Sequence, residues 1–175
     1  MNSNREIHEP TNPYSEKCFD EGYYGGSIRG GFGPEIKWDN PMQQSELQKK
    51  FDCVSAGGSY ESILFVGCAL GNEVRYFREL GKNATGVEIS SYAVEHCHAS
   101  VSGHVRLYDG WNLGHLDNLG VDVVASFDVL TLLPDDMLLK LIGEMHRVAA
   151  DRIVFRTIVD CKCNLNEQWA GNDGV

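Results

Sequence analysis

The sequence predicts an α/β domain built on a doubly wound, mainly parallel sheet with helices on both faces, and three observations carry that expectation. From Glu61 onward, short runs recur that are apolar almost throughout, as strands covered on both faces must be. Between several of them lie stretches with apolar residues at helical spacing. The first strand meets the first of these helices through Gly67-Cys68-Ala69-Leu70-Gly71, a glycine turn of the kind that lets a ligand approach backbone.

Taken in order, residues 1–60 read as an N-terminal arm and a helix that together form a lid. Segment 21–34 contains Gly22, Gly25, Gly26, Gly30, Gly31 and Gly33 interleaved with Tyr23, Tyr24, Ile28 and Phe32. So many glycines oppose a regular element. The segment fits either an arm that orders over a ligand or a surface loop with buried anchors. Residues 42–54 carry Leu47, Phe51 and Val54 at helical spacing, ended by Gly57-Gly58.

Residues 61–160 read as the core. The first strand is 63–66, followed by a helix over 72–80 with Val74, Phe77 and Leu80 at helical spacing and Gly81 as its stop. A second strand, 84–88, leads to Ser90 as N-cap of a helix through Ala93, Val94, Cys97 and Val101. Strands at 104–108 and 121–127 come next. The helix over 134–149 turns Met137, Leu138, Leu141, Ile142, Met145 and Val148 to one side, and 152–159 makes a fifth strand. Residues 161–175 form a short polar tail.

Charge narrows the partners. With 15 Lys and Arg against 25 Asp and Glu, the net charge is −10, which works against binding nucleic acid or an anionic membrane. The apolar runs fall short of the roughly 20 residues a membrane span needs. The polar start of the chain lacks the apolar stretch of a secretion signal, so the cytoplasm is expected. Cys18, Cys53, Cys68, Cys97, Cys161 and Cys163 form no regular framework, and reduced thiols are expected. His96-Cys97-His98 and Cys161-Lys162-Cys163 lack the spacing that turns two ligands of one element toward an ion, so no metal site is expected.

In an open parallel sheet a ligand sits beyond the carboxyl ends of the strands. Glu88 ends the second strand 21 residues after Gly67, where a carboxylate can accept both hydroxyl hydrogens of a ribose. A dinucleotide fingerprint starting at Gly67 would need glycine at 69 and 72, where the chain has Ala69 and Asn72. Glu73 also puts a negative charge at the helix start where a pyrophosphate would have to sit. The pattern points to a nucleoside without phosphates.

These residues resemble the class I S-adenosylmethionine-dependent methyltransferases over roughly Glu61 to Val159. Val66-Gly67-Cys68-Ala69-Leu70-Gly71 is similar to the family's first motif, V-G-C-G-x-G, with Ala69 in place of the middle glycine. The resemblance implies a Rossmann-like core in which Gly67, Cys68, Ala69 and Gly71 approach the cofactor. It makes Glu88 the ribose ligand and Ile89 the residue packed on adenine. Tyr108-Asp109-Gly110 resembles the segment that recognises the adenine amino group, although Asp109 equally suits a cap of the turn at Gly110-Trp111. Ser126-Phe127-Asp128-Val129-Leu130, with Leu132-Leu133-Pro134, is similar to S-x-D-V-L-x-H-L-P and implies contacts from Phe127 and Asp128, although Asp128 equally suits orienting the loop after the fourth strand. The family's frequent His falls on Leu132. Glu144-Met145-His146-Arg147-Val148 resembles E-[IM]-x-R-V, with His146 and Arg147 read as structural.

The implied activity is in-line transfer of a methyl group from S-adenosylmethionine to a small-molecule acceptor, leaving S-adenosylhomocysteine. Such a transfer needs donor and acceptor held in line and does not require a base, so no catalytic residue is singled out. Tyr23 and Tyr24 are expected to close over the sulfonium, and Arg29 and Trp38 to face the acceptor. Two alternatives stand beside this: a protein that binds the cofactor without transferring a methyl, and, less favoured, an NAD-dependent oxidoreductase. Family members usually continue past the fifth strand with a helix and a β-hairpin, which the polar tail is unsuited to form. Either the tail or the N-terminal arm covers the fifth strand, or a second chain does, or the chain is a shortened member; a homodimer through that edge is the expectation put to test.

Overall fold

The computed structural model describes residues 19–25 and 38–157. Arg29, most of the glycine-rich arm, Cys18, the end of the expected fifth strand and the polar tail lie outside them.

The strands are β1 (Ser62–Val66), β2 (Asn83–Glu88), β3 (Val105–Leu107), β4 (Val121–Phe127) and β5 (Ala149–Arg156). They form one five-stranded sheet in the order β3-β2-β1-β4-β5. Every pairing is parallel. The helices are α1 (Glu21–Tyr24), α2 (Pro41–Ser55), α3 (Asn72–Glu79), α4 (Ser91–Glu95) and α5 (Asp135–Val148). Strand order reverses at β1, with β2 on one side and β4 on the other, which is where a doubly wound sheet opens a crevice.

Alternate side chains of β1 feed two cores. Ile63 and Phe65 pack with Val74, Phe77, Val123 and Ala125, while Leu64 and Val66 pack with Val124, Leu141, Met145 and Val148. On the first face, α2 rests on α3 through Phe51 and Phe77, whose ring centroids are 5.1 Å apart. Arg152 holds the far end of α2, donating to the carbonyls of Val54 at 3.2 Å and Gly58 at 2.9 Å. On the second face the Arg147 guanidinium donates to the carbonyls of Leu113 and Leu116 and to Glu144. Glu144 in turn accepts from the Leu113 amide at 3.0 Å. Arg147 and Glu144 thus pin the long connection before β4, the structural part expected of Arg147, and His146 is exposed.

Four expectations need correction. The helix after Ser90 stops at Glu95: the His98 ring accepts from the Ser100 amide and starts a separate 3-10 turn, Ala99–Val101. The third strand is only Val105–Leu107. The fifth begins at Ala149, directly off α5, rather than at Arg152. Ile142 is 38% exposed and lies off the buried face of α5, because Leu141 and Met145 already fill the contact with the sheet.

Candidate functional site

A cleft of about 260 Å³ lies over the carboxyl ends of β1, β2 and β4. Its floor is the glycine turn after β1. The Gly67 and Cys68 amides both reach the Val87 carbonyl, at 2.9 and 3.2 Å, carrying the β1–β2 ladder one step further. The Gly71 amide then closes the turn on the Cys68 carbonyl at 2.8 Å. Gly67 has φ 75°, and a Cβ there would stand 2.3 Å from Val129 Cγ2, so the turn lies hard against the segment after β4. Ala69 takes the same left-handed region with φ 48°.

Gly71 contributes differently from what the motif suggests. It is buried outside the cleft wall, and a Cβ there would meet Val105 and Val101 at 3.1 and 3.2 Å, so its lack of a side chain serves the packing of α3 against the β3 side.

Glu88 ends β2 and is only 5% exposed. One carboxylate oxygen accepts from the Ala69 amide at 2.7 Å, the other from the Ile89 and Ser90 amides at 2.9 and 3.0 Å. Burial pushes its pKa above the ordinary carboxylate value, against the pull of those three donors. Tyr23, Tyr24 and Tyr108 gather around the cleft. Burial, and behind it the Glu88 charge, raises the pKa of all three, so they stand as neutral phenols about a buried carboxyl.

The short helix α1 is delivered to this end by local caps. Asp20 accepts from the Tyr23 amide at 3.1 Å, and the Ser90 hydroxyl donates to the Phe19 carbonyl at 2.5 Å. Ser90 also caps α4, accepting from Ala93 at 3.0 Å, so one residue joins α1, α4 and the end of β2. Tyr24 stacks on Tyr92 at 6.0 Å.

Opposite, α2 presents Gln43, Glu46 and Lys50 to the cleft. Lys50 pairs with Glu73 at 2.5 Å, and Arg156, at the end of β5, pairs with Asp128 at 2.5 Å and Glu46 at 3.2 Å. Asp128 has φ 62°, and its amide donates to the Arg156 carbonyl at 2.9 Å. Four carboxylates (Glu46, Glu73, Glu88, Asp128) thus line the cleft against two cations, both already paired. That balance favours a cationic ligand and opposes phosphates.

Of the residues expected from sequence, Tyr23, Tyr24, Gly67, Cys68, Ala69, Glu88, Ile89, Gly110, Phe127 and Asp128 line this one cleft. Asp109 does not: its carboxylate accepts from the Trp111 and Asn112 amides at 3.2 and 2.8 Å, the turn-capping alternative. Trp38 is also elsewhere, with the Arg75 guanidinium 3.9 Å from its ring centroid and Tyr76 beside it, so it packs on α3 instead of facing an acceptor. Sequence reading missed Lys50, Glu46, Gln43 and Arg156. The signal for the first three was a polar stripe at positions 43, 46 and 50, one face of α2, hidden by attention to its apolar positions. Arg156 carried no local signal.

The family model described as a methyltransferase domain matches residues 64–152, about half of the chain. Among solved structures, a protein from Pyrococcus horikoshii OT3 superposes with a TM-score of 0.63 at 14% identity, over 77% of this chain and 65% of its own. A SAM-dependent methyltransferase from Archaeoglobus fulgidus gives 0.57 at 18% identity, over 68% and 54%. The SAM-bound amino pentose methyltransferase of calicheamicin biosynthesis from Micromonospora echinaspora gives 0.56 at 18%, over 70% and 51%. The chain therefore spans between half and two thirds of these structures, and at such identities the likeness speaks for the fold. No curated protein matches the sequence. Among the described residues no helix is long and apolar enough to cross a membrane.

Proposed function

The chain belongs to the class I S-adenosylmethionine-dependent methyltransferases, and we propose that it moves the methyl group of S-adenosylmethionine to a small-molecule acceptor in this cleft. The observation that carries the reading is Glu88, buried at the end of β2 and braced by three amides beside the glycine turn. The donor set suits the cofactor: a sulfonium and an ammonium find four carboxylates, and an adenosine needs no phosphate partner. When bound, S-adenosylmethionine supplies an electrophilic methyl whose carbon–sulfur electron pair returns to sulfur as an acceptor lone pair forms the new bond, any acceptor proton leaving to solvent.

Each protein group then has a defined task. Glu88 accepts from the ribose hydroxyls, and the amides of the turn fix its orientation. Ile89 and Gly110 bound the adenine. Tyr23 and Tyr24 close over the cofactor from α1 and exclude water, their neutral phenols and ring faces compatible with positive charge. Phe127 and Asp128 form the wall toward the acceptor. Holding the reactants in line is the main catalytic contribution.

Calorimetric titration with S-adenosylmethionine, S-adenosylhomocysteine and NADH tests the reading. The first two are expected to bind and NADH not to; NADH binding alone overturns it. Cofactor binding with no transfer to any of a library of small acceptors supports the alternative of a binder without activity. Among the described residues the outer edge of β5 has no partner strand. Pairing of two copies along it is a further part of the proposal, rejected by a monodisperse monomer in light scattering at high concentration.

A further inference from the structure

Behind Phe127 a second groove adjoins the cleft. The two share Lys50, Phe127 and Arg156 as a common wall, and the groove adds Lys49 and Phe155. In a chain of net charge −10, every charged residue lining this groove is a cation. Their carboxylate partners, Glu46, Glu73 and Asp128, line the cofactor cleft instead. Lys50 and Arg156 therefore face both spaces, whereas the carboxylates paired with them line the cleft alone.

The apolar part is equally defined. Phe127 lies under both shared cations, Lys50 Nζ at 5.2 Å and the Arg156 guanidinium at 5.9 Å from its ring centroid. Phe155 beside it is 55% exposed, an aromatic face unusual in its openness next to three cations. Lys49 keeps 65% of its side chain in solvent with Glu46 as its salt-bridge partner, so it has donors to offer an incoming anion.

We propose that this groove is the acceptor subsite and that the acceptor is a carboxylate with a flat apolar body, its anion held by Lys49 and Arg156 and its body laid on Phe127 and Phe155. The inference rests on the methyl-transfer reading and deepens it: the acceptor's anion lies in the groove, whose lining has cations and no carboxylate, while its reacting end extends past Phe127 into the cleft. Lys49, Lys50 and Arg156 each already pair with a carboxylate, so an acceptor anion adds to those pairs, whereas an ammonium would meet like charge.

The test is a ligand-observed NMR titration of the full chain, free and loaded with S-adenosylhomocysteine, using 3-phenylpropionate, 3-phenylpropanol and 3-phenylpropylamine. The carboxylate is expected to bind at least about tenfold more tightly than the alcohol, the value of one charge-assisted hydrogen bond, and the amine not at all. Lys49→Gln and Arg156→Gln should each remove most of that preference, and Phe155→Ser should weaken acid and alcohol alike. Thermal unfolding checks that each variant folds, and Lys49→Gln, at an exposed position, keeps the test usable if Arg156→Gln does not. Equal binding of acid and alcohol, or binding of neither, overturns the inference even if S-adenosylhomocysteine binds. A carboxylate preference in a protein that fails to bind S-adenosylhomocysteine would instead overturn the cofactor reading and leave the groove's chemistry standing.

Discussion

Two carboxylates hold backbone amides at opposite ends of the same sheet, and they are tuned in opposite directions. At the amino end, one oxygen of Asp122 accepts from the Glu61 and Ser62 amides, both at 2.8 Å, while the Ser62 hydroxyl accepts from the Asp122 amide at 2.9 Å. Those bonds draw the Asp122 pKa below its ordinary value. At the carboxyl end Glu88 has more amide donors, three, yet its pKa is raised because burial outweighs them. The same chemistry makes a clamp where water is near and a poised, desolvated group where it is not. The carboxyl end also concentrates the left-handed residues Gly67, Ala69, Gly71 and Asp128. Such strain collects where a binding surface requires it.

The largest effect expected from this contrast is at Gly67. Gly67→Ala adds a Cβ 2.3 Å from Val129 Cγ2 at a φ of 75°. Overpacking and left-handed strain together should cost about 2–4 kcal/mol, read as a lower urea midpoint, and abolish S-adenosylhomocysteine binding. Adding Val129→Ala should restore part of the stability. If Gly67→Ala is neutral, the turn is not packed as described.

Next comes Glu88→Gln, which keeps the volume but loses the charge. Cofactor binding should weaken by about 1–3 kcal/mol in calorimetry, as charge-assisted hydrogen bonds are lost. Unchanged affinity refutes the ribose role. Asp122→Ala should do the reverse, lowering stability by about 1–2 kcal/mol and leaving cofactor affinity alone, because water can reach the two freed amides and the cleft is at the other end. A loss of affinity as large as that of Glu88→Gln would erase the distinction between the two ends.

Titration separates them by sign. Asp122, with a lowered folded pKa, contributes stability present above its ordinary value of 3.8 and lost as pH falls through the lower folded value. Glu88, with a raised folded pKa, contributes in the opposite sense: its share is present below the ordinary value of 4.5 and lost as pH rises through the higher folded value. Cofactor affinity needs the ionised form, so it should fall on acidification starting above pH 4.5. In Glu88→Gln that fall should be absent.

Legibility in the sequence followed the same division. The sheet, its parallel strands and the glycine turn were readable because each rests on local patterning: apolar runs, helical spacing, and a carboxylate in fixed register with Gly67. Glu88 reaches Ala69 across only 19 positions. The other side of the cleft was not readable, because it is assembled by the fold. Arg156 meets Glu46 across 110 positions, and nothing near either residue announces the other. Asp109 and Trp38 stand outside the cleft lining for a related reason: a polar or aromatic residue near a motif has local uses, here a turn cap and a seat for Arg75, that compete with a ligand. Ile142 shows the limit of periodicity, which defines the centre of a buried stripe better than its border.

The smallest effect expected is at Ala69, the departure from the glycine of the family pattern. Its φ of 48° costs an alanine about 1 kcal/mol, so glycine looks favoured there. Glycine, however, gives the unfolded chain more freedom, which takes back about 0.4–1 kcal/mol. The two nearly cancel, and Ala69→Gly should move the urea midpoint by less than about 0.5 kcal/mol of stability. The amide that donates to Glu88 is retained in either residue, so S-adenosylhomocysteine affinity should not change in calorimetry. A clear gain in affinity would mean that the alanine methyl itself obstructs the ligand. The departure at 69 would then be a restraint on binding, and the carboxyl end would be less completely formed than its hydrogen bonds imply.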